Sequence, residues 1–307
     1  MQLRISTAPH MHSPMTTRRI MLFVLIALLP SAAFGVYAFG LKALLLIAVS
    51  CAAACLSEYL WQKIGKKKVL VSDLSALVTG LILALNLPVG APWWVAVIGS
   101  AFSVIIVKQL FGGIGDNFMN PAMAGRAVLL ASWPVHMTTY VMPTFFKNID
   151  AVTTATPLVT HNTTYPDLFF GNIPGTIGEV SKAAILLGFL FLLITGVISW
   201  RIPVVMTTSV FVFSWLFGAD PIAAVLSGGV LFGAVFMATD YTTSPMTPLG
   251  QVIFAFGIGL ITSLIRAFGN YPEGVTYGIL LMNIASPLID RLLPQKIYGH
   301  GKEAKKA

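Results

Sequence analysis

The stretch Ile20–Phe39, IMLFVLIALLPSAAFGVYAF, runs for 20 residues without a single charged side chain. A second apolar run, Leu41–Trp61, follows after one glycine. A helix needs roughly 17–25 predominantly apolar residues to cross the hydrocarbon core of a bilayer. Because further apolar runs follow the first, we interpret it as a first membrane span and not as a cleaved signal peptide.

Composition extends this interpretation to the whole chain. Of the 307 residues only 10% are charged and 56% are hydrophobic, and the mean hydropathy is +0.84. So few charges cannot cover the surface of a water-soluble protein, which excludes a soluble enzyme, a disordered scaffold and a secreted disulfide domain. Ten apolar segments are predicted, at roughly 20–39, 41–61, 73–87, 92–111, 121–134, 182–199, 202–217, 221–238, 250–267 and 275–293.

The positive charges predict an orientation. The net charge of +8 comes from basic residues that lie mostly at the ends of the apolar runs, which is typical of membrane topology and not of nucleic-acid binding. With the amino terminus in the cytoplasm, 14 of the 19 Lys and Arg residues fall in inside segments, 4 fall outside, and Arg126 lies within the fifth span. We therefore expect both termini in the cytoplasm and residues 135–181 outside the membrane.

The two halves of the chain resemble each other weakly. Val78-Thr79-Gly80 of span three matches Leu226-Ser227-Gly228 of span eight at an offset of 148, and Asn120-Pro121 matches Tyr271-Pro272 at an offset of 151. Five helices per half place two repeats in opposite orientations. The sequence thus predicts an all-α polytopic membrane protein of ten transmembrane helices in two inverted five-helix repeats. Residues 1–134 and 182–307 form the repeats, and residues 135–181 form an extracytoplasmic loop.

That loop carries the most specific motif, Asp150-Ala151-Val152-Thr153-Thr154-Ala155-Thr156. Threonine-rich loops usually supply turn and cap hydroxyls. The spacing from Asp150 to Thr156, however, resembles the stretch that receives FMN in the NqrB/RnfD family, membrane subunits of the ion-pumping Nqr and Rnf complexes. Ala151 and Thr154 stand where glycine is common in that family.

A second stretch carries the same resemblance. Gly112-Gly113-Ile114-Gly115-Asp116-Asn117-Phe118-Met119-Asn120-Pro121-Ala122, just before span five, is similar to a glycine-rich segment of the family. The segment from Ser72 to Pro88 and the five-plus-five layout are similar too, so the resemblance covers nearly the whole chain. The long amino-terminal extension of NqrB is missing, which makes RnfD the nearer match.

The resemblance implies a cofactor and its site. FMN would be linked through a phosphodiester to the Thr156 hydroxyl by an FMN transferase, with Asp150, Thr153, Thr154 and Ala155 around it. A second, noncovalent flavin such as riboflavin is compatible with the family. A covalent link suits a carrier that faces water, where a dissociable flavin would be lost, and the flavin supplies the redox chemistry.

The resemblance also implies a fold, a function and partners. It implies a urea-transporter-like fold in the bacterial inner membrane. The function would be electron transfer in a complex that couples ferredoxin and NAD oxidoreduction to Na⁺ or H⁺ movement. Partners would be other Rnf-type subunits, including a second covalent-flavin subunit and iron–sulfur subunits. No dinucleotide-binding loop, cysteine cluster or other catalytic motif is evident, so we expect no metal site and no complete active site on this chain.

Three further residues near span five are candidates for contact with a flavin. Asn120 before Pro121 is typical of a helix cap, and Asn117 precedes it; a structural role and a flavin-binding or ion-path role are both open. Arg126 either faces protein or water as a functional residue or reaches the membrane surface with its long side chain.

Two other functions remain open from the sequence. Inverted repeats and short spans also suit a transporter or channel without redox chemistry. An NqrB-like subunit that feeds electrons to a quinone is the other alternative.

Overall fold

The computed structural model describes residues 15–145, 153–154, 164–269 and 274–294. Most of the described residues are helical, and the strands among them are one pair of two residues each. Three of the helices, Thr17–Phe39, Leu41–Ile64 and Pro248–Phe268, are long and apolar enough to cross a membrane. Four shorter apolar helical stretches accompany them, so the chain has the helical, apolar character that the sequence predicts.

The first half contains five long elements. Helix α1 is Thr17–Phe39, α2 is Leu41–Ile64, α3 is Ser75–Leu85, α4 is Trp93–Phe102 with a π-helical continuation Ser103–Gln109, and α5 is Pro121–Ser132. Side-chain capping hydrogen bonds stabilise the amino termini of several of these helices. The Thr16 hydroxyl accepts from the Arg19 amide, and the Asp73 carboxylate accepts from the amide and hydroxyl of Ser75. The predicted cap at Asn120-Pro121 is confirmed, because Asn120 Oδ1 accepts from the Met123 amide at 3.2 Å.

Between the halves lie short elements. These are α6 Pro134–Thr138, strand β1 Tyr140–Val141, strand β2 Thr153–Thr154 and α7 Tyr165–Phe170. The second half contains α8 Lys182–Ile194, α9 Arg201–Leu216, α10 Pro221–Leu226, α11 Val230–Phe232 with a π-helical continuation Gly233–Met237, α12 Pro248–Phe268 and α13 Val275–Leu292.

The predicted eighth span, 221–238, differs from expectation because it is not one helix. It breaks between α10 and α11 at Ser227, Gly228 and Gly229, where Gly228 adopts φ +61°. Backbone groups freed by such a break must find partners inside the protein. The Arg266 guanidinium satisfies two of them, since it donates to the carbonyls of Ala224 and Ser227.

The core lies around α3 and α5. Every residue of α3 except Leu77 is buried, and so is the first half of α5, from Pro121 to Arg126. Within the first half, α2 packs on α3 and α4, and α4 packs on α5. Within the second half, α9 packs on α10 and α12, and α12 packs on α13. Across the halves, α1 packs on α8 and α5 packs on α13.

The end of the predicted loop 135–181 also differs from expectation, because it is not surface. Residues 176–182 are all buried, and this segment is hydrogen-bonded to the chain at and just after the carboxyl end of α3. The amides of Ile177 and Gly178 donate to the carbonyls of Leu87 and Leu85, at 3.1 and 2.7 Å. Gly178 permits the approach, since a Cβ there would lie 2.6 Å from the Leu85 Cβ.

Candidate cofactor cavities and buried charge clusters

The predicted flavin acceptor Thr156 lies outside the described residues, together with Asp150 and Ala155. The backbone of Thr153 and Thr154 is described, and it pairs antiparallel with Val141 and Tyr140. The chain just after β1 is held in turn by α1, because the amides of Thr144 and Phe145 both donate to the Ala38 carbonyl. The acceptor stretch thus follows a strand fixed at the carboxyl end of α1.

A first cavity opens at the opposite end of α1. It lies between the starts of α1, α3 and α5 and the ends of α8 and α11. Apolar side chains dominate its wall, with polar groups from Thr79, Lys108, Asn117, Asn120 and Asp240. A mostly apolar cleft with a few placed polar groups is typical of a small-molecule site.

Asn117 and Asn120 both line this first cavity, but their side-chain amides also form hydrogen bonds to other parts of the protein. Asn120 Nδ2 donates to the Met237 carbonyl at 3.3 Å while its oxygen caps α5, so this side chain has a structural role. Asn117 Nδ2 donates to the Met119 carbonyl and to Thr242 Oγ1 at 3.1 Å. Thr242 Oγ1 donates onward to Asp240 Oδ1 at 2.8 Å, which links Asn117 to a carboxylate.

Asp240 is the acidic group of the first cavity. Desolvation raises the pKa of its carboxyl above the ordinary value, and the two hydrogen bonds from Thr242 oppose the rise. The connection of Asp240 to Asn117, 123 positions earlier, depends on tertiary structure that spacing does not reveal.

A buried cluster around Glu58 lies beside the first cavity. Glu58 is 1% exposed, and its Oε1 accepts from Lys108 Nζ at 2.9 Å and from Gln109 Nε2 at 2.6 Å. Lys108 Nζ also donates to Ser75 Oγ at the start of α3. Glu58 lies near the end of an apolar run, where a solvated acid would be unremarkable, yet its side chain is buried. The π-helical turn that carries Lys108 and Gln109 brings both side chains against α2.

Arg126 belongs to a second buried cluster. Its Nη1 donates to Asn86 Oδ1 at 2.7 Å and to Glu179 Oε1 at 3.1 Å, and neither partner is more than 3% exposed. The Lys182 ammonium donates to the backbone carbonyl of Glu179. The Arg126 side chain therefore faces protein and not the membrane surface, while its role toward a flavin stays a prediction. This cluster joins α3, α5 and the segment before α8.

A second cavity lies at the end of the bundle that carries α7. About 1530 Å³ of space is bounded by the ends of α9 and α12, the start of α10 and the first residue of α7. Its wall includes Arg266, three serines and the rings of Phe217 and Phe268, which meet edge to face at 5.4 Å. At the rim, the Tyr165 hydroxyl donates to Asp220 Oδ2 at 2.7 Å and holds the pKa of that carboxyl below its usual range. The sequence alone does not reveal this cavity, because its parts come from four separate elements.

Comparison with known proteins covers the whole chain. The model of the NQR2, RnfD, RnfE family matches residues 4–299. The chain is 49% identical to the D subunit of the Na⁺-translocating ferredoxin:NAD⁺ oxidoreductase complex of Acetobacterium woodii, over 100% of this chain and 98% of the relative. It is 42% identical to the D subunit of the proton-translocating ferredoxin:NAD⁺ oxidoreductase complex of Clostridium ljungdahlii, over 96% of each. It is 38% identical to the D subunit of the ion-translocating oxidoreductase complex of Escherichia coli, over 98% and 100%. This apolar, helical membrane protein therefore belongs to the NQR2, RnfD, RnfE family.

Proposed function

We propose that this chain is the RnfD component of an Rnf-type complex, a membrane electron-transfer protein with FMN covalently linked to Thr156. The observation that carries the proposal is full-length similarity to proteins named as the corresponding component of ion-translocating oxidoreductases. The names of two relatives differ in the ion, Na⁺ or H⁺, and the proposal covers either. Other Rnf-type subunits, among them iron–sulfur subunits and a second covalent-flavin subunit, would exchange electrons with this one.

The proposed architecture is ten spans in two inverted five-helix repeats, residues 1–134 and 182–307. The helix packing supports it, because the second helix of each half packs on the third and fourth, and the fourth packs on the fifth. Contacts across the halves join first helix to first and fifth to fifth, as a two-fold axis requires. Lys108 and Arg266, each at the end of its fourth helix, both bind the third helix of their own half.

The proposed topology places both termini in the cytoplasm and residues 135–181 outside. The strand pairing of Thr153 and Thr154 fits this loop as a flavin carrier, because it fixes the chain two residues before Thr156. FMN, when bound, would accept and pass on electrons singly or in pairs. The protein's part is to hold the linkage through a neutral threonine oxygen.

The first cavity is the proposed place for the second, noncovalent flavin. Its apolar wall between α1, α3 and α11 suits a planar ring, and Asn117 and Thr79 offer polar groups at the same wall. Asn117 is oriented through Thr242 by Asp240. Arg126 takes no part in this proposal, because it does not line the cavity and is engaged with Glu179.

The proposal is tested by detecting flavin that is covalently bound to the chain. The full chain is expressed with its FMN transferase, and membranes are run on a denaturing gel. We expect a fluorescent band that survives denaturation, and a tryptic peptide spanning residue 156 that carries the mass of FMN less water. Thr156→Ala should abolish both, while Thr153→Ala and Thr154→Ala serve as matched neighbours that keep them.

An adduct that persists in Thr156→Ala would show that the acceptor is wrong. A fully matured protein without any flavin would favour the second candidate, a non-redox transporter, which the broken helix between α10 and α11 independently suggests.

A further inference from the structure

Six basic side chains gather at the end of the bundle where α1 begins and α2 ends. The 3₁₀ turn Val71–Asp73 packs on both of these helices, which places the start of α1 beside the end of α2. Ile20 of α1 and Ser75, two residues after the turn, line the same first cavity at this end. The six residues, called the basic cluster below, are all exposed: Arg18, Arg19, Lys63, Lys66, Lys67 and Lys68.

The charge of the basic cluster is poorly balanced by acidic side chains. Among the described residues, none of its six members forms a salt bridge. Glu58, which precedes the four lysines in the chain, is already paired with Lys108. Between residues 59 and 74 the four lysines stand against a single acid, Asp73. Closely spaced like charges raise the local potential, so this surface favours an anionic partner.

An exposed apolar stripe on α2 leads directly to the basic cluster. Leu56, Leu60 and Ile64 follow one another at intervals of four residues and are 58%, 45% and 80% exposed, so they share one face of the helix. The stripe is roughly 12 Å long, close to half of the ~30 Å hydrocarbon core of a bilayer. Acyl chains that lie on this apolar stripe would place their headgroups at the level of the lysines that follow Ile64.

Aromatic rings accompany two of the cations at this level. The Lys63 ammonium lies 5.4 Å from the centroid of the Tyr59 ring, and the Arg19 guanidinium carbon lies 5.6 Å from the centroid of the Phe23 ring. Each ring lies one helical turn deeper in its helix than the cation, so both basic side chains lean back toward the apolar region. Rings and long cationic side chains in this order are typical of the bilayer interface, which favours a lipid partner over an acidic protein surface in water.

We infer that the basic cluster binds the headgroups of anionic phospholipids whose acyl chains lie on the apolar stripe of α2. The ligand chemistry is a phosphodiester with a net negative charge, bound by several cations at once. Clusters of about four to eight Lys and Arg residues directly beside a membrane span are typical of such binding. The inference concerns the lipid-facing surface and holds whether or not Thr156 carries FMN.

The experiment measures lipid binding to the full-length chain, purified in a nonionic detergent and stripped of native lipid. Native mass spectrometry counts the bound molecules while dioleoylphosphatidylglycerol or dioleoylphosphatidylcholine is titrated. The two lipids have the same acyl chains and differ in the net charge of the headgroup. We expect the anionic lipid to bind at a concentration at least about tenfold lower than the zwitterionic one. The preference should shrink when ammonium acetate is raised from about 0.05 M to 0.5 M, because salt screens exposed charges.

The variant Lys67→Gln with Lys68→Gln removes two exposed charges from the basic cluster. It should lower the preference for the anionic lipid by about fivefold or more, since a basic residue near an anionic surface contributes a factor of about five. Arg18→Gln with Arg19→Gln removes two charges from the neighbouring helix and should act in the same direction. Should one pair of substitutions disturb folding, as shown by thermal unfolding, the other pair still decides.

Lys42→Gln with Arg291→Gln is the matched control. Both residues are exposed and lie outside the basic cluster, Lys42 at the opposite end of α2 and Arg291 at the end of α13. The change in net charge is the same as in the cluster variants. We expect the preference for the anionic lipid to stay within about twofold of wild type.

Two results would overturn the inference. One is equal binding of the two lipids, or an unchanged preference in both cluster variants. The other is a protein partner on this surface: a carbodiimide joins lysine amines to carboxylates, so cross-links in native membranes from residues 66–68 to an acidic residue of another chain would assign the cluster to that protein. Neither result touches the Thr156 adduct, since its mass is measured separately.

Discussion

At the scale of the residue, the buried pair of Glu58 and Lys108 shows how charge is tolerated inside this bundle. Their side chains are 1% and 4% exposed and meet at 2.9 Å. Glu58 Oε1 accepts three donors, while Oε2 has no partner among the described residues. The buried Glu58 carboxylate is stabilised by the Lys108 ammonium, because burial of an isolated charge is very costly.

We predict that Lys108→Met destabilises the protein by about 3–5 kcal/mol, because Glu58 is left buried without a counter-charge. The double variant Glu58→Leu with Lys108→Met should recover most of this loss, since an apolar pair removes the charge altogether. Thermal unfolding in detergent micelles, followed by intrinsic fluorescence, measures both. If the double variant is no more stable than Lys108→Met, the loss does not come from the stranded carboxylate.

Single residues also mark what the sequence can and cannot reveal. The cap formed by Asn120 and Pro121 was predictable because capping depends on neighbours within four residues. The partnership of Glu58 with Lys108 and the partners of Arg126 were not, because each of these partners lies 40 or more positions away in the chain. The second cavity escaped for the same reason, since it is assembled from four elements.

At the scale of the element, hydropathy located the long helices because membrane helices are defined by apolar length. It missed the break between α10 and α11, since glycine is also common in continuous membrane helices. The break is occupied by the Glu179 carboxylate, which lies where a side chain on Gly229 would be. Glu179 cannot move aside freely, because Arg126 holds it at 3.1 Å.

We therefore predict that Gly229→Ala displaces Glu179 from Arg126 and destabilises the protein by about 2–4 kcal/mol, the range expected for overpacking and a disturbed buried ion pair. Gly175→Ala is the control, because a Cβ there meets its nearest neighbour, Val180 Cγ2, at an ordinary 3.7 Å. Melting temperatures of the two variants provide the comparison. Equal melting temperatures would mean that the carboxylate has room to relocate.

At the scale of the whole molecule, close contact between the halves depends on small residues in α1 and α8. A Cβ on Gly188 would lie 2.7 Å from Phe236 Cζ and closer still to the Ala27 carbonyl oxygen. Such approaches are typical of membrane helices, which associate by close packing because lipid offers no hydrophobic drive between them. The first helices of the two halves, α1 and α8, are thereby held in close contact.

This arrangement makes a definite prediction for topology. If both ends of the chain lie in the cytoplasm and each half has an odd number of spans, as proposed, the exposed turn at Asn172 and the exposed lysine cluster at 66–68 lie on opposite faces of the membrane. Replacing Cys51 and Cys55 by alanine gives a background in which Asn172→Cys and Lys67→Cys are each the single thiol. In intact spheroplasts a membrane-impermeant maleimide should label Asn172→Cys at once and label Lys67→Cys only after permeabilisation. Labelling of both thiols from the same side would require an even number of spans between them. The inverted-repeat arrangement, and with it the outward position of Thr156, would then be wrong, although the packing of the halves through Gly188 would stand.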